Sequence, residues 1–410
     1  MKNKYRCRVA AVHSPSHDAL VLRAAFRELL DHLDLPLASL IKPGERVLLK
    51  PFLHYGRHSH PAGRLVSHPT LVACVLEALI DCGAHITLGD EGSKHLRNAD
   101  LAPERQWLHA LARRTGTQLV SFAKAGARRT RSGLHFPRSY LISRAVLDVD
   151  HVVNCANFQA HNVLGMSGAV KNMFNAVVGQ CQQNLHELFT DPADLARVMV
   201  DVCGIVKPTI SFLDLTSVPD RLNDGVLHPF GLLLAGHDPV ALDAVAAHAV
   251  GWDSASLPTL AWGEKQGVGC ADIEQIALSG LTWSTLPGMR LTPAATVGCA
   301  PERLYVKTTR LLNKTLLRPR PTIMAHACNG CGDCETICPV QAVKPTRGDT
   351  YTIALRTCAD CRICIAACDS DAIRLEYVGL ARGVRRALGR SLVPGQVHAG
   401  AAQLAQDRPQ

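Results

Sequence analysis

Through about the first 260 positions, short β-branched runs alternate with apolar residues at helical spacing, the signature of βαβ units around a mostly parallel sheet. Arg8 to His13 and Arg46 to Phe52 read as strands, and Ala19 to Leu33 between them carries a helical apolar stripe. Pro69 to Cys82 reads as a second helix, opened by proline and closed by Gly83, after which His85 to Gly89 returns as a strand. Thr209 to Val218 and Gly231 to Ala235 read as buried strands, and Pro239 to Val250 as an Ala/Val-rich helix that Gly251 ends. The expected fold class is α/β, with flanking helices and a small α+β module at the C-terminal end.

The pattern weakens after Gly263. Four regions follow from it: an α/β domain over 1–285, a linker or bridging helix over 286–321, a cysteine-rich module over 322–378, and a basic helix with a disordered tail over 379–410. A chain of 410 residues is too long for a single core, which agrees with more than one folded unit. No apolar run reaches the roughly 18 residues of a membrane span, and Met1 to Ala11 has no apolar signal-peptide stretch. A soluble, cytoplasmic protein is expected.

Position, more than number, makes the 16 cysteines informative. Eight are scattered and eight fall in two runs, Cys328-x2-Cys331-x2-Cys334-x3-Cys338-Pro339 and Cys358-x2-Cys361-x2-Cys364-x3-Cys368. The repeat continues as Val340-Gln341-Ala342-Val343 against Ser370-Asp371-Ala372-Ile373. Paired Cys-x2-Cys motifs also bind zinc, but zinc accounts neither for a third cysteine at the same spacing nor for the repetition. The spacing resembles that of bacterial two-cluster ferredoxins, in which the fourth cysteine of each run serves the other cluster. Carried over, this resemblance implies two [4Fe–4S] clusters, one on Cys328, Cys331, Cys334 and Cys368, the other on Cys358, Cys361, Cys364 and Cys338. Asp369 stands where the first run has Pro339. From Pro301 onward 16 Lys/Arg face 9 Asp/Glu, so part of the chain's formal +9 is expected to balance cluster charge.

Several body segments, in order, resemble domain-of-unknown-function family 362, which is often fused to such a module. They are Val47-Leu48-Leu49-Lys50-Pro51, Ser67-His68-Pro69, Ile86-Thr87-Leu88-Gly89-Asp90, His161, Gly168-Ala169-Val170-Lys171-Asn172-Met173-Phe174, Leu213-Asp214, Gly236-His237-Asp238-Pro239 with its helix through Ala244, and Gly267-Val268-Gly269 leading to Ile276. The resemblance implies architecture and site candidates, not a reaction. Family members commonly carry a Lys-x-Lys-Thr-His-like element; this chain reads Asn157-Phe158-Gln159-Ala160-His161, keeping the histidine and losing both lysines.

Read from the residues alone, Gly165 to Asn172 is a Gly/Ser turn entering a helix that continues to Val178, with Lys171 one turn in. Free amides there suit a phosphate or carboxylate; the plainer alternative is that the glycines allow close packing. The run does not match a nucleotide-hydrolysing P-loop, and no dinucleotide fingerprint follows a strand. His54, His58, His60 and His68 form either a metal site or a loop of solvated histidines. Asp90 and Asp214 end strands, Asp238 fits a helix cap, and Asp243 faces either a site or the core. Cys181 and His186-Glu187 follow the Lys171 helix as candidate proton donors.

The leading expectation is a ferredoxin-type reductase that takes electrons from a soluble carrier protein and delivers them to a small, anionic substrate. Lys171, His161 and His186 are its candidate catalytic residues, and Lys50, His68, Asp90, Asn172 and Asp214 its candidate binding residues. A flavin or further metal is left open. The alternatives are a non-catalytic electron-transfer or docking protein and, more weakly, a nucleic-acid-binding iron–sulfur protein, motivated by Arg382, Arg385, Arg386 and Arg390 but unsupported by any reader motif.

Overall fold

The computed structural model describes residues 5–53, 66–90, 106–135, 137–161, 163–189, 191–219, 227–291 and 319–377. The histidines at 54, 58 and 60, most of the 286–321 segment and the 379–410 region lie outside the described residues.

Eight strands form one sheet: β1 (Cys7–His13), β2 (Arg46–Pro51), β3 (His85–Asp90), β4 (Gln118–Ser121), β7 (His151–Asn157), β10 (Ile210–Pro219), β11 (Leu227–Gly236) and β12 (Ile276–Gly280), in the order β12-β1-β11-β10-β7-β2-β3-β4. Among them β11 alone runs against its neighbours, pairing antiparallel with β1 and β10; the other pairs are parallel. Two short hairpins stand apart, β5 (Ala127–Arg131) with β6 (Ser139–Ser143) and β8 (Gln159–His161) with β9 (Gly165–Ser167).

Alternate strand residues feed two cores, as the two-residue period of a strand requires. Val47, Leu49, Val153, Cys155 and Phe212 pack under α1 (Ala19–Asp31), α2 (Pro69–Asp81) and α3 (Gln106–Thr115). Leu48, Val152, Ala156, Leu213 and Leu215 pack under α4 (Ala169–Met173), α6 (Pro192–Val206), α7 (Pro239–Ala249) and α8 (Pro258–Lys265). Both faces of the sheet are therefore covered, which is why its strands read as continuous apolar runs. Met289 and Leu291 still bond back to Ala249 and Val250, so the body's packing runs to Leu291.

Two readings change. The helix entered at Gly168 does not run to Val178: α4 is five residues long, followed by a 3-10 turn over Phe174–Ala176, before α5 (Gln180–Leu188) starts anew. Asp214 lies inside β10, one residue before its register shifts between Leu215 and Ser217, and does not end the strand.

Residues Ile323–Ile373 belong to the same compact unit as the body. They hold the hairpin β14 (Val343–Pro345) with β15 (Tyr351–Ile353) and the short helices α9 (Asp333–Thr336) and α10 (Ile363–Ala367). The edges β13 (Arg320–Ile323) and β16 (Ile373–Glu376) form a two-stranded ribbon. No helix among the described residues is long and apolar enough to cross a membrane.

Asp238 caps α7 as expected, accepting from Val240 N at 2.9 Å and Ala241 N at 3.0 Å, while its second oxygen takes Cys270 N at 2.8 Å. Asp238→Ala should lower unfolding free energy by about 2 kcal/mol, as expected when a cap is lost, read as a lower denaturant midpoint with an unchanged slope.

Candidate functional site

Parallel strands deliver their C-terminal residues to one edge of a sheet, where α/β proteins place ligands. Here β2 and β3 bring Lys50 and Asp90 there, both wholly buried at the side chain and 2.8 Å apart. A buried ammonium is tolerated only when paired and hydrogen-bonded. Lys50 Nζ accordingly also donates to Asn172 Oδ1 at 2.9 Å. Asp90 Oδ2 accepts from Leu53 N at 2.9 Å and from Asn175 Nδ2 at 3.3 Å.

The network extends in both directions. Asn172 Nδ2 donates to Asn154 Oδ1 at 2.8 Å, and Asn154 Nδ2 to the Ala169 carbonyl and Ser211 Oγ. Gln182 on α5 donates to Asn175 Oδ1. Ser67 ties the exit of β2 to the start of α2 by accepting from Phe52 N and donating to the Cys155 carbonyl. Three of the sequence candidates, Lys50, Asp90 and Asn172, are thus one bonded unit. Asn154, Asn175 and Gln182 are members that periodicity cannot flag.

Lys171, on α4, is half-buried and among the described residues makes no ion pair or hydrogen bond; the Phe52 ring lies 5.9 Å from its Nζ. Burial first, then the charge of Lys50, push its pKa down to about 8, against a partly opposing pull from Asp90. His161 ends β8, and its Nδ1 accepts from Val163 N at 3.2 Å and Leu164 N at 3.1 Å. Those two donors fix the tautomer with the proton on Nε2. Burial, then Lys171 and His186, drive the pKa of His161 far below its ordinary value. His161 is therefore a neutral hydrogen-bond donor, and proton donation from an imidazolium there does not fit this geometry. His186, on α5, packs edge-on to Phe174 with centroids 5.3 Å apart. Cys181 packs against both the main apolar core and the cluster that holds Ile363.

The start of α4 does not wait for an outside anion. Asp243 on α7 accepts from Ala169 N at 2.6 Å and Val170 N at 3.0 Å, and a Cβ on Gly168 would overlap its carboxylate. The close-packing reading of those glycines holds, with the chain's own carboxylate as the anion. Burial pushes the pKa of Asp243 up to about 7 against the pull of these two amides.

Asp214 and His68 meet through a residue the sequence pattern passed over. His17 bonds Asp214 at 2.8 Å and stacks on His68 with centroids 4.1 Å apart. Burial raises the Asp214 carboxyl, but His17 and the Thr216 N–H outweigh it and hold its pKa below the ordinary value. His68 also caps α2, its Nδ1 accepting from Thr70 N at 3.3 Å. The signal for His17 was its place between β1 and α1, on the loop that leaves the C-terminal end of β1.

In the module, Cys328, Cys331, Cys334 and Cys368 line one cavity, so the last cysteine of the second run joins three of the first. Reciprocally, Cys338 of the first run lies in the electrostatic surroundings of both Cys361 and Cys364. The backbone repeats as well. Positive φ occurs at Gly330 and Gly332, at Asp360 and Arg362 thirty positions on, and again at Gln341 and Asp371. Backbone amides meet sulfur at equivalent places, from Ala342 N to Cys338 Sγ at 3.2 Å and from Ala372 N to Cys368 Sγ at 3.3 Å. Burial pushes the Cys334 and Cys361 thiols up to about 11. This donor set fits iron–sulfur clusters. The charge balance differs from the expectation: Thr322 to Tyr377 holds five Lys/Arg against seven Asp/Glu, and the basic excess lies in the flanking segments.

Two family models match separate stretches of the chain. The family model described as "Domain of unknown function (DUF362)" matches residues 47–248, and a 4Fe–4S binding domain model matches residues 320–343. A thylakoid-associated protein of Synechocystis sp. is 30% identical over 265 residues, 63% of this chain and 79% of that protein. Ferredoxin-1 of Rhodobacter capsulatus is 40% identical over 50 residues, 11% of this chain and 75% of the ferredoxin. Among solved structures, the lactate racemase apoprotein from Thermoanaerobacterium thermosaccharolyticum matches with a TM-score of 0.40 and 13% identity, over 61% of this chain and 58% of that one.

Breaking the buried pair from one side leaves a charge uncompensated, so Lys50→Met should cost about 3–5 kcal/mol. The double variant Lys50→Met with Asp90→Leu should recover most of that loss in chemical denaturation.

Proposed function

Because the chain belongs to the DUF362 family and carries a ferredoxin-type iron–sulfur module, we propose that it is a reductase of a small anionic substrate, bound where β2 and β3 end, with two [4Fe–4S] clusters as resident electron carriers. Cys328, Cys331, Cys334 and Cys368 would hold one cluster and Cys338, Cys358, Cys361 and Cys364 the other. When bound, such clusters supply electrons one at a time. A soluble one-electron carrier protein is the external partner.

The observation that carries this reading is Lys171, a half-buried ammonium with no counter-ion among the described residues, beside an ion pair that is already satisfied. Lys50 is spent on Asp90 and Asn172, so among the described residues of this network Lys171 is the cation left to receive an anion. A lysine with a pKa near 8 is charged at neutral pH yet gives up its proton readily, which suits a general acid. The Nε2–H of His161 supplies a fixed hydrogen bond to a substrate oxygen, and His186 stands on the next helix. Both lysines of the Lys-x-Lys-Thr-His-like element common in the family are missing before His161, whereas Lys171 is kept.

Lys171 holds its charge below about pH 8 and loses it above. Binding of simple anions, with acetate and phosphate as probes, should therefore saturate at neutral pH and weaken as pH rises past about 8. Lys171→Met should weaken it at least tenfold, about 1.4 kcal/mol, and abolish that pH dependence. Equal affinity in wild type and Lys171→Met by calorimetric titration would remove Lys171 from the site.

A further inference from the structure

The two halves of the cysteine repeat are treated differently by the body. Position by position, Asn329 and Cys331 are exposed where Ala359 is half-buried and Cys361 buried, and the exposed Asp333 corresponds to the buried Ile363. The cause is the contact made by the second loop. Ala123, Ala127, Leu141 and Val178 of the body form one apolar cluster with Cys361 and Ile363, and Ile337 and Val340 pack at its edge. Gln180 N donates to the Cys361 carbonyl at 3.0 Å. Gly179, at φ 55°, allows that approach, since a Cβ there would overlap the same carbonyl oxygen. Gln180 opens α5, and two residues later Gln182 reaches Asn175, which bonds Asp90. Beside this contact an open cleft of about 410 Å³ separates Lys124 and Arg144 of the body from Cys338 and Asp369.

Resting on the two-cluster reading above, we infer that the cysteine sets have unequal places: Cys338, Cys358, Cys361 and Cys364 are the inner set, which passes electrons along the Gly179–Gln182 segment to the small anionic substrate held by the body, and Cys328, Cys331, Cys334 and Cys368 are the outward set, which meets an external redox protein. Transfer from carrier to outward set and from outward to inner set oxidises the donor and reduces the acceptor by one electron with no bond formed or broken, and two such transfers supply the electron pair that, with protons, reduces the substrate. The sequence difference between the repeats expresses the division. The outward loop carries Asn329 and Asp333 for water, and the inner loop carries Ala359 and Ile363 for the body.

The test uses the anaerobically reconstituted full chain. Iron and sulfide are counted first; fewer than eight of each would refute the two-cluster reading and leave the ordering without a basis. The two electron paramagnetic resonance signals of the reduced protein are assigned with Cys331→Ser and Cys361→Ser. Reduced wild-type protein is then mixed with a limiting amount of oxidised cytochrome c, an oxidant too large for the cleft, and frozen at millisecond intervals. The signal altered by Cys331→Ser should decay at least fivefold faster than the one altered by Cys361→Ser. Gly179→Ala should perturb the inner signal and leave the outward one unchanged. Equal decay, or faster decay of the inner signal, would overturn the assignment even with eight irons present, and needs no variant other than those used for assignment.

Discussion

The ion pair between Lys50 and Asp90 has no water to fall back on, and much of the body is arranged to keep it satisfied. Each partner needs more than the other can give, so Asn172, Asn175 and the Leu53 amide are recruited. Those recruits come from α4, from the turn after it and from the chain leaving β2. In this way a charge requirement at the sheet edge fixes how three separate segments meet. Lys171 inherits its environment from that arrangement, because burial first, and then the positive charge of Lys50 beside it, make a second ammonium costly.

A second carboxylate does the same work at shorter range. Asp243 satisfies two amides at the start of α4 and requires Gly168 to approach. With α4 held by Asp243 at its start and by Asn172 within it, the placement of Lys171 is set by the fold and not by a ligand.

How much of this was legible in the chain depends on how far apart the interacting residues lie. The cysteine runs, the α2 boundaries and the Asp238 cap are written in neighbours a few positions apart, and spacing alone reveals them. Lys50, Asp90 and Asn172 could each be singled out, but Lys50 and Asn172 are 122 positions apart, and no periodicity couples them. The start of α4 was open to misreading for the same reason. Its amides invite an anion, and the anion that answers is 74 positions downstream in the same chain. His17 carried little signal because a lone histidine in a loop has many ordinary explanations.

The clasp of Gly179 and Gln180 on the Cys361 carbonyl has a consequence for timing. A redox module that must swing toward its acceptor adds an encounter step to every turnover and links the rate to the freedom of its tether. Here the backbone of the body itself grips the module's inner loop, and an apolar patch seals the grip. On the electron-transfer reading proposed above, this grip would spare each turnover the swinging step and leave the arrival of an outside carrier as its diffusive step.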